Sequence, residues 1–135
     1  MFPADTRILV IDDMMTMRKI VRKNLTDMGF TSIAEADDGE TAWPMIQKAA
    51  TEGKPYQLII SDWNMPKLKG IDLLRQVRAL ESIKTTPFVL LTAEAEKTQI
   101  LEALKAGVTN YITKPFTPAT LGEKIKAVYD KVTKK

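Results

Sequence analysis

Five short apolar runs constrain this chain more than any other feature. They are Ile8–Ile11, Ser32–Ala36, Leu58–Ser61, Phe88–Leu91 and Asn110–Thr113, each four or five residues long. Runs of that length, rich in Val, Ile and Leu, suit strands covered on both faces. Longer amphipathic stretches lie between them, so strand and helix patterns alternate strictly. That alternation predicts an α/β fold: a five-stranded parallel sheet, doubly wound, with right-handed crossovers and helices on both faces. In such sheets ligands bind outside the carboxyl ends of the strands.

The helical stripes can be read the same way. Met17, Val21, Leu25 and Met28 recur at helical spacing, and Gly29 stands where a helix would stop. Leu73, Leu74, Val77 and Leu80 form a second stripe. Ile100, Leu101 and Leu104 form a third, ended by Gly107. Leu121, Ile125, Val128 and Val132 form the last, with Thr117 as N-cap and Pro118 at the first helical position. The helix after the second strand spans about Gly39 to Ala50 but contains Pro44. An interior proline costs about 3 kcal/mol through its missing N–H and its ring. That helix is therefore expected to begin late, near Trp43, or to kink.

A length of 135 residues suits a single domain, 1–135, with its core over about 6–133 and no output domain. The chain has no cysteine and no histidine, which excludes disulfides and thiolate metal sites; any histidine chemistry must come from a partner. The net charge of +3 is spread out, and the lysines near the end (Lys124, Lys126, Lys131, Lys134, Lys135) are interleaved with Glu123 and Asp130. This reads as a solvated helix face, not as a nucleic-acid surface. No stretch approaches the ~20 apolar residues of a membrane span, so no membrane insertion is expected. Met1–Asp5 lacks the features of a secretory signal, and the expected location is cytoplasmic.

Chemistry concentrates at the predicted strand ends. Asp12 and Asp13 follow the first strand, Asp62 ends the third, Thr92 the fourth, and Lys114 follows the fifth. Carboxylates gathered within about 5 Å repel by about 3 kcal/mol per pair at an effective dielectric near 20, an arrangement that calls for a cation. Magnesium takes one or two carboxylates together with waters and phosphate oxygens. Asp13 and Asp62 supply two ligands, and Asp12 orients a bound water. Asp62 is the candidate nucleophile toward phosphorus. Lys114 would pair with a phosphoryl oxygen as a point charge, and the Thr92 hydroxyl would donate to another. Taken alone, Asp12 and Asp13 would be acids favoured at a helix N-terminus, and Tyr111 an ordinary half-buried strand aromatic. Trp63 is expected to be exposed at the edge of the site, or else partly buried against the first helix. The nearby methionines read as packing, with Met14 bordering the access path.

Taken as a set, these residues resemble a response-regulator receiver domain of the chemotaxis type over essentially the whole length. The resemblance rests on Asp12–Asp13 with Thr16–Met17–Arg18, on Ser61–Asp62–Trp63–Asn64–Met65–Pro66, and on Thr92–Ala93–Glu94–Ala95. Ala106–Gly107 with Tyr111, Lys114–Pro115–Phe116–Thr117 and Ala119–Thr120–Leu121 complete it. It implies the flavodoxin-like strand order 2-1-3-4-5. It implies that Asp62 accepts a phosphoryl group from the phosphohistidine of a histidine kinase. Magnesium would be held by Asp13, Asp62 and the backbone carbonyl of Asn64, with Asp12 acting through water. Thr92 would move toward the phosphoryl group and Tyr111 would rotate inward. A face comprising Ala95, Tyr111, Thr113 and Lys124 would then bind the flagellar motor switch protein. A phosphatase is a further implied partner, and the protein would act as a monomer and as a switch, not an enzyme. Lys67–Leu68–Lys69, Thr113, Gly122 and Pro44 depart from the family pattern. Two alternatives stand beside this reading. One is a receiver that relays or absorbs phosphate without touching a motor. The other is a magnesium-dependent phosphatase, which would need a positioned general acid two residues after Asp62, where this chain has Asn64.

Overall fold

The computed structural model describes residues 2–93 and 97–133. Its strands are β1 (Arg7–Ile11), β2 (Ser32–Ala36), β3 (Leu58–Asp62), β4 (Phe88–Thr92) and β5 (Asn110–Thr113). They form one parallel sheet in the order β2-β1-β3-β4-β5, as expected. The helices are α1 (Met15–Asp27), α2 (Gly39–Thr51), α3 (Gly70–Ala79), α4 (Lys97–Ala106) and α5 (Pro118–Thr133), with a short 3-10 turn at Glu81–Ile83. Every apolar run became a strand, within one residue at each end.

The period-2 alternation of side chains along a strand divides the core in two. Leu9, Ile11, Ile59, Phe88 and Leu90 face α2, α3 and α4, where they meet Ala42, Ile46, Leu73, Leu74, Val77 and Ala103. Ile8, Val10, Leu58, Ile60, Val89, Leu91 and Ile112 face the other way, onto Val21 and Leu25 of α1 and Leu121, Ile125 and Val128 of α5. β3 and β4 are buried throughout. The edge strands β2 and β5 are only partly covered, which is why β2 can carry Glu35.

Helix ends follow local chemistry. The Thr117 hydroxyl accepts the Thr120 N–H at 3.1 Å and caps α5, which starts at Pro118. Gly29 and Gly107 follow α1 and α4 with φ of 101° and 89°. Two readings are corrected: the late start of the helix containing Pro44 and the inward face of α4. The helix containing Pro44 does not begin late. The Asp38 carboxylate caps it by accepting the Thr41 N–H at 2.7 Å, and α2 runs from Gly39 through the proline. Glu40 and Pro44 are both exposed, so the carbonyl deprived of a donor lies on the solvent side. In α4 the buried position is Ala103, whereas Leu101 and Leu104 are 49% and 55% exposed. The leucine spacing was helical, but the small residues Ala103 and Ala106 form the inward face.

Candidate functional site

The carboxyl rim of the sheet gathers the strand-end residues. Asp62 closes β3, Asp12 and Lys114 each follow a strand by one residue, and the backbone joins these ends. The Asp12 N–H donates to the Ala36 carbonyl at 3.2 Å, the Trp63 N–H to Leu91 at 2.9 Å and the Lys114 N–H to Thr92 at 2.7 Å. The side chains then converge. Lys114 Nζ lies 3.2 Å from Asp12 Oδ2 and 3.0 Å from Asp62 Oδ1. Asp12, Asp13 and Asp62 each present an oxygen within 4.8 Å of the others. The Asp12 side chain has no exposure and that of Asp62 has 10%, while Asp13 faces solvent. The Met14 N–H donates to Asp12 Oδ1 at 2.9 Å, so both Asp12 oxygens are engaged. Met14 itself is 58% exposed beside the acids.

Three carboxylates and one ammonium leave a charge of −2 in a largely buried cluster. Burial pushes the Asp62 carboxyl above its usual value; the Lys114 hydrogen bond opposes this, and the charges of Asp12 and Asp13 add to the rise. For Lys114, burial pulls the ammonium down, but the hydrogen bonds and charges of Asp62 and Asp12 outweigh it and hold the group above its usual value. All the donors are hard carboxylate oxygens and the net charge is negative, so the set fits a divalent cation of the magnesium class.

Thr92 is buried at the end of β4 and pairs in register with Thr113, which is exposed on β5. Asn64 is exposed in the loop after β3. Tyr111 is half-buried on β5, with Lys124 Nζ of α5 5.5 Å from its ring centroid. Tyr111, Thr113 and Lys124 therefore share the β5–α5 side; Ala95 lies outside the described residues. The expectation for Trp63 is corrected on both counts. It is 5% exposed, and it packs with the α2–α3 side of the core instead of α1. The cause is strand alternation: Trp63 continues the line of Ile59 and Ser61, and its carbonyl accepts the Gly70 N–H at 3.0 Å.

Sequence reading also missed supporting residues. Gly70 opens α3 so close to the rim that an added Cβ would land on the Asp62 carbonyl oxygen. Asp38 caps α2 and faces Lys67 Nζ at 3.8 Å, tying the loop after Asp62 to the neighbouring crossover. A glycine directly after a polar strand-end loop was the available signal for the first. An aspartate directly before the helix start was the signal for the Asp38 cap, while nothing local marked its contact with Lys67.

The sequence model of the response regulator receiver domain matches residues 8–126. The chain belongs to the response regulator receiver family. It is 48% identical over 126 residues to chemotaxis protein CheY-3 of Vibrio cholerae, covering 93% of each chain. Among solved structures it superimposes on V. cholerae chemotaxis protein CheY4 with a TM-score of 0.83 at 34% identity, covering 93% of this chain and 99% of that one. It also matches the receiver domain of a sensor histidine kinase from Pseudomonas aeruginosa, with a TM-score of 0.79 at 26% identity and coverage of 93% and 99%. That structure has a magnesium ion coordinated in its active-site cleft. The chain is thus a receiver domain of the CheY-type chemotaxis response regulators, a class of signalling switches and not of ordinary enzymes. Among its described residues, no helix is long and apolar enough to cross a membrane.

Proposed function

We propose that this receiver is a phosphorylation switch of chemotaxis signalling, with Asp62 as the phosphoacceptor. The observation that carries the reading is the bridge of Lys114 between Asp12 and Asp62, with Asp13 alongside, at the rim where the sheet ends. An oxygen of the Asp62 carboxylate forms the new bond to phosphorus as the bond from phosphorus to the imidazole nitrogen of a kinase phosphohistidine breaks. The imidazole leaves with the electron pair and takes up a proton. Asp13, Asp62 and the Asn64 carbonyl would hold magnesium directly, and Asp12 through water. When bound, the ion neutralises charge on the transferring phosphoryl group. Lys114 is already oriented by two carboxylates, and it transfers one of its hydrogen bonds to a phosphoryl oxygen. Thr92, buried at the adjacent strand end, donates its hydroxyl to another.

The new group adds nearly two negative charges beside Lys114 and Thr92, biasing two conformations of the receiver. Tyr111 turns inward, and the surface carrying Tyr111, Thr113 and Lys124, with Ala95 assigned from the sequence, binds the flagellar motor switch protein in the cytoplasm. The half-buried setting of Tyr111 against Lys124 supports this role, since a small shift at β5 would change what the surface presents. A histidine kinase supplies the phosphoryl group and a phosphatase removes it, with the receiver acting as a monomer.

Mass spectrometry after incubation with acetyl phosphate and magnesium tests the chemistry. One added phosphoryl group is expected on the wild type and none on Asp62→Asn. Equal labelling of both would remove Asp62 from the role. Binding of the phosphorylated form to the motor switch protein's receiver-binding peptide tests the output separately.

A further inference from the structure

Arg18 sits directly behind the acidic rim without touching any carboxylate of it. Its Nη1 donates to the backbone carbonyl of Asp12 at 2.7 Å, and its Nε donates to Glu35 Oε1 at 3.3 Å. The Arg18 and Glu35 side chains are each 16% exposed. Glu35, on the edge strand β2, is also held by Arg22 Nη1 at 2.8 Å and by Lys19 Nζ at 3.8 Å. Burial raises the Glu35 carboxyl, but the surrounding cations outweigh that and keep it below its usual value. Glu35 is therefore a fixed anionic anchor, and Arg18 spans from it to the turn between β1 and α1.

The acceptor in that turn is informative. The Asp12 carbonyl belongs to the peptide joining Asp12 to Asp13, so the orientation of that one peptide plane sets where both carboxylates point. The plane before it is held by the Asp12 N–H on the Ala36 carbonyl at 3.2 Å. The Met14 N–H and Lys114 hold the Asp12 carboxylate, and Arg18 adds the bond on the Asp12–Asp13 plane itself, against the repulsion of the three acids. A planar guanidinium presents its donors in a rigid fork, whereas an ammonium is a compact charge with rotatable donors on a flexible stem.

We propose that Arg18, anchored by Glu35, is a positioning residue that holds the Asp12–Asp13 peptide so that both carboxylates face Asp62 and the cation they share. The proposal rests on the magnesium-dependent reading above and adds to it a residue outside the ligand set. It makes a prediction of sign. If Arg18 acted only as a positive charge near an anionic site, its removal would strengthen cation binding. If it positions the ligands, its removal weakens binding.

The test uses the full chain with Trp43→Phe, so that emission from Trp63 alone reports magnesium binding, with the magnesium dependence of Tm as a second readout. Arg18→Ala is expected to weaken magnesium binding about 10-fold, the usual scale for losing a residue that orients metal ligands. Arg18→Lys keeps the charge but not the fork, and is expected to weaken binding about 3-fold. An Arg18→Ala affinity equal to or tighter than wild type overturns the proposal, as does a lowered Tm in chelator with unchanged affinity, which would leave Arg18 a purely structural role. Should Arg18→Ala fail to fold, a wild-type affinity for Arg18→Lys overturns it instead. A wild type that binds no magnesium would refute the underlying function, an outcome seen before any Arg18 variant is compared.

Discussion

Two partly buried cations stand at opposite ends of the sheet, and their charge is met in opposite ways. At the carboxyl rim, Lys114 lies between Asp12 and Asp62, with Asp13 nearby, and the group carries excess negative charge. At the amino ends of β4 and β5, Arg78 of α3 donates to the carbonyls of Gly107 at 2.9 Å, Lys84 at 3.1 Å and Thr86 at 2.6 Å. Among the described residues no carboxylate pairs with it. Burial lowers its guanidinium from the usual value, with nothing to offset that. The Arg78 cluster ties together the ends of α3, α4 and the segment before β4 through neutral acceptors. The rim does the reverse, concentrating like charges that favour separation. A groove of about 410 Å³ lies beside Arg78, so open volume does not mark the reactive end. Unbalanced charge does.

The largest effect that would break this contrast is at Lys114. Lys114→Ala leaves two buried carboxylates facing each other, and removing one partner of a buried pair costs about 3 kcal/mol. That loss is expected in chelator, by chemical denaturation. Magnesium should restore more stability to Lys114→Ala than to wild type, because the ion replaces the missing ammonium. An equal response in both proteins would mean that the ammonium and the divalent ion do not share the neutralisation, and the rim would lose its special status.

Much of this contrast could be read in the amino-acid order, and the reasons it could not be read in full are physical. Asp12, Asp62 and Lys114 were placed correctly because strand ends in a parallel sheet converge, so position along the chain implies position on the rim. Thr117, Gly29 and Gly107 announced helix ends through chemistry confined to a few residues. Trp63 was misplaced because its bulk beside a polar residue suggested an edge, while the strand's alternation carried it into the core. The leucines of α4 were misassigned because a helical spacing does not say which of two adjacent lines faces inward, and there alanine does. Arg18 entered only through the resemblance, with no role assigned, and Glu35 and Arg78 went unseen. Their roles depend on carbonyls and ion pairs between segments 6 to 29 residues apart, which no local pattern encodes.

The next effect sharpens the comparison from the other end. Arg78→Ala strips a charged donor from three carbonyls and is expected to cost about 2 kcal/mol. Arg78→Lys should recover little, because one ammonium cannot serve acceptors spread across a fork. Neither change should alter magnesium affinity or the rate of phosphorylation by acetyl phosphate, measured on the folded protein. A tenfold change in either would show that the two ends are coupled, and that the tie between α3 and α4 reaches the rim.

The smallest effect tests whether the rim is held at a cost to the fold. Asp62→Asn removes one of three crowded carboxylates yet leaves Lys114 paired with Asp12, so the metal-free variant is expected to be more stable than wild type by about 1 kcal/mol at neutral pH, the common scale for relieving a site kept for function. The sign follows from linkage. The Asp62 carboxyl is raised in the folded state above its ordinary 3.8. A raised acid favours folding while protonated, and that contribution is lost as the pH climbs through the folded value. In chelator the advantage of Asp62→Asn should therefore be small at acid pH, grow as the pH rises above the ordinary carboxylate range, and level off once Asp62 is ionised in both states. Magnesium should reverse the order, since it stabilises the wild type by occupying a site that the variant has weakened. Denaturation curves collected across pH with and without the ion read both signs. An Asp62→Asn protein less stable than wild type in chelator would show that Lys114 alone balances the acids, and the charge contrast between the two ends of the sheet would disappear.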